Sequence, residues 1–179
     1  IVVPLAIRLE SRGPVFYAQE RVGRGGRTFK ALKFRSMVKD AEKTSGPVQA
    51  VADDPRVTRV GRILRATAMD ELPQLVNIFK GDMSFVGPRA LRPNEKEVNG
   101  GAGAVPISEI PGYAARHAVR PGLTGLAQVF LPGETARRKK FRCDLVYIRK
   151  RSFGLDLKLI ALSFWITFRG KWESREPKV

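Results

Sequence analysis

The feature that most constrains this chain is a pair of adjacent carboxylates followed at once by a proline. Glu71 stands next to Asp70 and two residues before Pro73, and apolar residues recur from there to Gly81. Because proline is tolerated only in the first turn of an α-helix, the pattern predicts a helix that begins near Asp70 and ends at Gly81. The residues expected to bury this helix are Leu72, Leu75, Val76 and Phe79.

Two carboxylates at a helix start have two interpretations. The unpaired N–H groups and the macrodipole of a helix start favour negative charge, so Asp70 and Glu71 would stay ionised and could lie beside a phosphate. Capping a helix needs only one carboxylate, and from the pair alone capping is the simpler interpretation. The chain as a whole carries a formal charge of +16. Acidic groups within so basic a chain favour a site that handles phosphates.

Composition narrows the classes of protein. A chain of 179 residues suits a single domain, residues 1–179. Its excess positive charge lies mainly in residues 1–39 and 137–151, which favours nucleic acid, an anionic membrane surface or phosphorylated substrates, or simply a solvated basic surface. Cys143 and His117 are the sole residues of their types. They provide neither a disulfide nor a zinc site, and we expect His117 to be structural.

A coarse reading of the chain predicts mixed α and β structure. Residues 1–10 read as the end of an apolar helix, which we interpret as the remnant of a longer membrane-associated N-terminal region. Residues 15–22 and 28–35 are β-rich and flank a glycine turn, so they predict a hairpin. Asp54 and Pro55 predict the N-cap and first residue of a helix. Residues 38–54, 99–112 and 120–126 read as loops.

The last apolar element, residues 153–171, predicts an unusual helix. Asp156, Ser163, Thr167 and Gly170 fall on one face, and apolar residues cover the rest. That arc is wider than a surface helix needs, and cations flank it, which is typical of an amphipathic helix in a membrane interface. A buried core helix is the alternative.

Several short motifs follow one another along the chain: KFRSM at 33–37, DELPQL at 70–75, KGDMSFVGPR at 80–89, RPGLTG at 120–125, DLVY at 144–147 and LDLK at 155–158. Their order and spacing resemble those of the bacterial sugar transferases, the monotopic phosphoglycosyl transferases that act on polyprenyl phosphate. The resemblance covers residues 5–171. The departures are Met69, where leucine is usual, and the absence of the family's N-terminal apolar helix with its helix-breaking motif.

The resemblance implies a function and a fold. Family members transfer a phosphosugar from a UDP-sugar to polyprenol (undecaprenyl) phosphate and release UMP, in the first membrane step of glycan or exopolysaccharide assembly. Asp70 would be the nucleophile of a covalent phosphosugar intermediate, and Glu71 would bind Mg²⁺. The implied fold is α+β, a compact and mainly helical catalytic unit with amphipathic helices on the membrane surface. The implied location is the cytoplasmic face of the bacterial inner membrane, in contact with its lipids.

Cations near these motifs are candidates for binding the substrate phosphates. Arg89 and Arg120 adjoin rigid, proline-containing turns, Arg65 precedes Asp70 by about one helical turn, and Lys33 lies in the second predicted strand. Arginine suits bidentate contacts with phosphate. Asp144 and Tyr147 share a face if their segment is helical, and they resemble family positions near the site.

Two other classes of protein would also use a basic surface. A nucleic-acid-binding domain would neutralise phosphates but would interleave exposed aromatic residues with its cations. Here the aromatic residues concentrate in the last apolar element, so we expect no nucleic-acid partner. A catalytically silent membrane scaffold would bind lipid without turnover. Neither alternative accounts for the acidic pair, and the sequence indicates neither the sugar nor the oligomeric state.

Overall fold

The N-terminal part of the chain follows the sequence-based expectation. The computed structural model describes residues 2–41, 54–99, 103–133 and 135–169. Helix α1 (Val2–Glu10) precedes strands β1 (Phe16–Val22) and β2 (Thr28–Phe34), which pair in antiparallel fashion around a 3₁₀ turn. The predicted hairpin is therefore confirmed to within one residue. Most of the predicted 38–54 loop lies outside the described residues.

The second helix begins later than predicted. Helix α2 (Arg59–Ala66) has Thr58 as its N-cap, whose hydroxyl accepts a hydrogen bond from the Gly61 N–H at 2.9 Å. The predicted cap at Asp54 is wrong. The Asp54 carboxylate instead accepts the Arg56 N–H at 2.9 Å and pairs with the Arg56 guanidinium at 2.6 Å. A side chain that binds the N–H two residues on stabilises a turn in place of a helix start.

The helix predicted from Asp70 is split into two elements. Met69–Glu71 form a 3₁₀ turn, and helix α3 (Gln74–Lys80) follows after Pro73. Gly81 ends α3 with φ +85°, a left-handed conformation that glycine adopts without strain. The predicted end is thus confirmed, whereas the acidic pair precedes the helix and does not form its first turn.

Two segments predicted as loops contain short strands. Strands β4 (Lys96–Asn99) and β5 (Gly103–Pro106) form a second antiparallel hairpin within and beside residues 99–112. Strand β3 (Ser84–Val86) pairs in parallel with β6 (Gly122–Thr124). The main chains of Gly122 and Gly87 approach each other closely. Residue 122 must therefore be a glycine, because a Cβ on it would lie 2.0 Å from the Gly87 nitrogen. Strands of three or four residues carry too little alternation to be recognised from sequence.

Four further helices lie in the described part of the chain and contribute to its core. They are α4 (Tyr113–Arg116), α5 (Leu126–Phe130), α6 (Arg137–Lys150) and α7 (Phe153–Phe168). One buried cluster joins α5, α6 and α7 to β3 through Val86, Val129, Tyr147, Leu159 and Ile166. A second cluster packs Phe141 of α6 against Ile107 and Ile110, between β5 and α4, and against Leu91, between β3 and β4. The predicted α+β, mainly helical fold class is confirmed.

Helix α3 is turned the opposite way from the prediction. Its buried residues include the polar Gln74 and Asn77, whereas Val76 and Phe79 are exposed, Phe79 to 89%. The Asn77 side chain explains the orientation, because it accepts the Leu32 N–H at 3.0 Å and donates to the Lys30 carbonyl at 2.9 Å. An amide that satisfies main-chain groups of β2 must face the protein, which leaves the apolar residues outside.

Helix α7 also directs polar groups inward. The Asp156 carboxylate accepts a hydrogen bond from the Tyr147 hydroxyl at 2.8 Å, and the hydroxyls of Ser163 and Thr124 are hydrogen-bonded to each other. Leu159 and Ile166 are buried beside them. The large residues exposed on α7 are Phe153, Leu157, Phe164, Trp165 and Phe168. The predicted helix is confirmed over 153–168, and residues 170–171 lie outside the described part.

Within the described ranges, no helix combines the length and the apolar character that crossing a bilayer requires.

Candidate active site

The acidic pair is held in a turn between two helices. Ala68, directly before that turn, has φ +52° and ψ +15°, a left-handed conformation that reverses the chain after α2. Such a conformation is unfavourable for a residue with a Cβ, so the surrounding packing must maintain it. Asp70 and Glu71 are each only 8% exposed. The turn therefore removes two neighbouring carboxylates from most of the solvent.

Two cations from distant parts of the sequence lie beside the carboxylates. The Lys33 ammonium, on β2, is 2.5 Å from Glu71 Oε1 and 3.9 Å from Asp70 Oδ2. The Arg89 Nη2 atom, after β3, is 3.5 Å from Glu71 Oε1. The Arg89 side chain is 45% exposed, so its guanidinium remains accessible to a ligand. Lys33, Glu71 and Arg89 line one pocket with Gln74 and Gly122, and within the described residues Asp70 lies next to this lining without being part of it.

The cations keep Glu71 ionised despite its burial. Burial by itself raises the pKa of a carboxyl group. Here the charges of Lys33 and Arg89, the hydrogen bond from Lys33 and the charge of Arg21 outweigh burial and lower the Glu71 pKa from 4.5 to about 2. Glu71 is thus a carboxylate at every physiological pH. A permanently charged carboxylate beside cations suits a site for metal ions or phosphates.

Arg21 is a pocket residue that the sequence analysis missed. It lines the same pocket from β1, and its Nη1 donates to the Ala90 carbonyl at 3.0 Å. Burial, followed by the charges of Arg89 and Arg92, lowers the Arg21 pKa to about 10, against the opposing effect of Glu95 and Glu71. The hairpin register contained the signal. Arg21 lies opposite Phe29 and Lys33 opposite Tyr17, and alternation along β1 puts both cations on one face of the ribbon.

Asp144 and Tyr147 lie in α6, behind the segment that bears Arg89. Asp144 is buried and accepts a hydrogen bond from the Arg116 Nε at 2.9 Å. Burial raises the Asp144 pKa, although the charge of Arg116 opposes this. The Tyr147 hydroxyl lies 3.3 Å from the Val86 carbonyl and 2.8 Å from Asp156. Burial and the Asp156 carboxylate raise the Tyr147 pKa. Neither residue is among those that line the pocket in the described part of the chain.

Arg65 and Arg120 are also absent from the pocket lining within the described residues. Arg65 belongs to the last turn of α2, before the acidic pair. The Arg120 guanidinium lies near Gly81, with Nη2 3.7 Å from the position that a Cβ on Gly81 would take. Arg120 is followed by Pro121 and by Gly122, which does line the pocket. The structure therefore unites Lys33, Arg89 and the acidic pair, and it places the other two arginines at different positions around them.

The donor set fits a magnesium ion that is bound partly by substrate. Among the described residues, no group of three or more aspartate, glutamate, histidine or cysteine side chains could hold a metal ion by itself. Mg²⁺ commonly takes one or two carboxylates and completes its coordination with water and phosphate oxygens. Asp70 and Glu71 match that requirement. Lys33 and Arg89 beside them are of the types that bind phosphate oxygens.

The fold and this pocket agree with a match to a known family. The model of the bacterial sugar transferase family matches residues 1–170. The chain belongs to this family, which is a family of enzymes.

Three curated relatives illustrate its members. The exopolysaccharide production protein PSS of Rhizobium leguminosarum bv. phaseoli is 45% identical over 166 residues, 89% of this chain and 80% of that protein. A UDP-glucose:undecaprenyl-phosphate glucose-1-phosphate transferase of Caulobacter vibrioides is 46% identical over 167 residues, 89% of this chain and 59% of the relative. A UDP-N-acetylgalactosamine-undecaprenyl-phosphate N-acetylgalactosaminephosphotransferase of Aeromonas hydrophila is 41% identical over 163 residues, 89% of this chain and 37% of the relative. The chain thus spans less than two thirds of the last two relatives.

Proposed function

We propose that this protein transfers a phosphosugar from a UDP-sugar to polyprenol phosphate and releases UMP. The observation that carries the proposal is the buried acidic pair, whose Glu71 lines a pocket and is held ionised between Lys33 and Arg89. The relatives support the substrate class, since their names specify UDP-sugar donors and an undecaprenyl-phosphate acceptor. Exopolysaccharide assembly is the corresponding process, by the name of the Rhizobium relative.

In the proposed mechanism Asp70 is the nucleophile. Its carboxylate oxygen attacks the phosphorus that bears the sugar, and the bond from that phosphorus to the bridging oxygen breaks, so UMP leaves with that oxygen. The product is an acyl phosphate, in which the Asp70 carboxyl group carries the phosphosugar through a C–O–P linkage. A phosphate oxygen of the polyprenol phosphate then attacks the same phosphorus, which forms the lipid diphosphate sugar and restores the carboxylate. Burial supports this role, because a carboxylate that has lost much of its hydration is more available for attack.

Charge neutralisation is the contribution of the neighbouring groups. A carboxylate is repelled by a diphosphate unless cations neutralise the phosphate oxygens. Lys33 and Arg89 are placed to bind those oxygens beside Glu71, and Arg120 and Arg65 extend the positive field. Mg²⁺, when bound through Glu71, would supply further neutralisation of the phosphates.

Release of UMP and formation of the covalent intermediate are the direct tests. Full-length protein in detergent, given polyprenol phosphate and a panel of UDP-sugars that includes UDP-glucose and UDP-N-acetylgalactosamine, should release UMP from at least one donor. Excess chelator should abolish the release, and added Mg²⁺ should restore it. Full activity in the presence of chelator would contradict the metal requirement.

The nucleophile is tested with donor alone. Protein quenched after exposure to the active donor should carry a phosphosugar adduct on Asp70, detectable by mass spectrometry of peptides. Asp70→Asn preserves the shape of the side chain but removes the attacking charge, so both the adduct and the turnover should vanish. Glu71→Gln is the matched variant and should mainly weaken the response to Mg²⁺. An adduct that persists in Asp70→Asn would refute the assignment.

We further propose that the protein works at the cytoplasmic face of the bacterial inner membrane, as a monotopic protein in contact with lipids. Helices α1, α3 and α7 expose large apolar residues that a water-facing surface would not favour; they include Leu9, Phe79, Phe164 and Phe168. Helix α6 adds exposed cations, among them Arg142 and Arg149, which attract anionic headgroups. A polyprenol acceptor is itself confined to the membrane, so a site at its surface is required for the second transfer.

A further inference from the structure

The segment that bears Arg89 has an unusual main chain. It is residues 86–91, which leave β3 and form no continuous strand. Its carbonyls are nevertheless bonded one after another. The Pro88 carbonyl accepts the Gly122 N–H at 3.0 Å, the Ala90 carbonyl accepts Arg21 Nη1 at 3.0 Å, and the Leu91 carbonyl accepts the Val22 N–H at 2.8 Å. A segment without regular structure is thus fixed at successive peptides.

The carbonyl of Arg89 itself is bound by a buried arginine. Arg116 Nη2, from α4, donates to it at 2.8 Å. The same guanidinium donates through Nε to Asp144 Oδ2, on α6, at 2.9 Å. Arg116 and Asp144 are each only 3% exposed. One rigid, planar group therefore joins α6 to the main chain of a pocket residue.

Stability alone gives a poor account of this arrangement. Burying two charges is costly, and a well-packed apolar pair of similar volume is often as stable or more so. A single neutral donor would satisfy the Arg89 carbonyl. The planar, forked guanidinium of Arg116 differs from such a donor because it binds two groups at once. It thereby fixes the distance and orientation of the Arg89 carbonyl relative to Asp144 on α6. The Arg89 side chain projects from this fixed point towards Glu71, 3.5 Å from it.

We propose that Arg116 and Asp144 are positioning residues for the active site: Asp144 orients the guanidinium of Arg116, and Arg116 holds the main chain of Arg89 so that its side chain reaches the phosphates of the donor. This inference rests on the proposed function for the identity of the ligand. It gives Asp144 a role behind the pocket, without contact with the substrate. The Tyr147 hydroxyl, near the Val86 carbonyl, supports the start of the same segment.

The test distinguishes a loss of ligand positioning from a loss of folding and does not depend on turnover. The probe is inorganic pyrophosphate with Mg²⁺. Its binding to the full-length protein in detergent is measured by titration calorimetry, so the donor does not have to react. Arg116→Lys keeps a cation beside Asp144 but loses the second arm of the fork. Arg116→Met combined with Asp144→Leu removes both charges and leaves neither one unpaired. In each case we expect pyrophosphate to bind about tenfold more weakly, the value of one charge-assisted hydrogen bond to phosphate, while the unfolding transition stays cooperative.

Coupling to Arg89 provides the decisive readout. Arg89→Ala should weaken pyrophosphate binding by a similar factor. In the Arg89→Ala background the changes at Arg116 should have less than about a twofold further effect, because residues that act through one group are not additive. A purely structural pair would instead give independent, multiplying effects, and that result would overturn the proposal. Unchanged pyrophosphate affinity in a folded Arg116→Lys protein would do the same.

A second buried ion pair provides the control. Asp54 and Arg56 pair at 2.6 Å, with the aspartate buried. Asp54→Asn combined with Arg56→Gln should leave pyrophosphate affinity unchanged, and an equal loss there would show that any disturbed ion pair weakens binding, against the proposal. Turnover is then measured on the same variants with the active donor. If wild-type protein binds pyrophosphate through Arg89 but turns over no UDP-sugar, the proposed function fails while the positioning role stands.

Discussion

Replacing Lys33 by methionine tests how Glu71 is kept charged. The Lys33 ammonium lies 2.5 Å from Glu71 Oε1, nearer than Arg89 at 3.5 Å. Arg89 is also the more exposed of the two cations, so water screens it more. Lys33 should therefore supply most of the stabilisation of the Glu71 carboxylate. Methionine preserves the length of the side chain and removes only the charge.

The magnitude follows from the pKa of Glu71. A fall from 4.5 in the unfolded chain to about 2 in the fold corresponds to about 3 kcal/mol of stability at neutral pH. Because the folded pKa is the lower one, this stability is present above pH 4.5 and is lost as the pH falls towards 2. Because Arg89 and Arg21 also lower this pKa, Lys33→Met should remove most of that stability but not all of it. We expect a loss of about 2 kcal/mol in the free energy of unfolding at pH 7 and of less than about 1 kcal/mol at pH 3.

Urea denaturation followed by circular dichroism, in chelator and at both pH values, measures the difference. Glu71→Gln is the matched background, since it has no charge for Lys33 to stabilise. In that background Lys33→Met should cost well under 1 kcal/mol, with only the longer contact to Asp70 left. A cost that is the same at pH 7 and pH 3, or the same in both backgrounds, would show that Lys33 acts through packing and would refute the electrostatic account.

Three further predictions concern the fold and its surface. Gly122→Ala should destabilise the protein by at least about 2 kcal/mol in urea denaturation, since its Cβ would meet the Gly87 nitrogen at 2.0 Å. Gly154→Ala, in open space on α7, should be neutral or stabilising. Equal effects of the two substitutions would contradict the close approach at Gly122. Burial and the nearby Arg116 charge lower the His117 pKa from 6.5 to about 4. The free energy of unfolding should therefore decline by up to about 3 kcal/mol as the pH falls from 6.5 to 4. In His117→Gln, denaturation curves over the same pH range should show a smaller decline. Replacing Phe164, Trp165 and Phe168 together by serine should weaken binding of residues 1–179 to anionic liposomes in flotation assays at low salt, and unchanged binding would contradict the interfacial role of α7.

The sequence predicted the parts of this fold that repeat a strong local pattern. The first hairpin has a glycine turn between two β-rich segments, and Gly81 ends α3 as expected. The pocket around the acidic pair was predictable in part, since Lys33 and Arg89 were expected to bind the same phosphates and do lie beside Glu71. The resemblance to the family is confirmed by the match over residues 1–170.

What the sequence could not indicate depends on contacts between distant segments. The parallel pairing of β3 with β6 joins two short, glycine-containing stretches whose partners are set by tertiary packing. Arg21 reaches the pocket only because the hairpin register puts it on the same face as Lys33. Asp54 satisfies the criteria for an N-cap, yet its carboxylate pairs with the neighbouring Arg56.

The orientation of α3 shows how a general rule of sequence analysis fails in a consistent direction. The rule that apolar residues face inward assumes that water covers the outside. In α3 the polar Asn77 faces inward and binds the main chain of β2, while Phe79 is exposed. In α7 Asp156 faces Tyr147 while Phe168 is exposed. Both helices direct polar groups towards the protein and expose large apolar groups, although α7 also buries Leu159 and Ile166 in the core. Water penalises such exposure, and the apolar region of a bilayer interface would favour it. The same inward polar groups anchor the elements that carry the pocket, with Asn77 bound to the strand of Lys33 and Tyr147 placed beside the segment of Arg89. A surface suited to lipid and a site suited to phosphate thus follow from one choice of helix orientation.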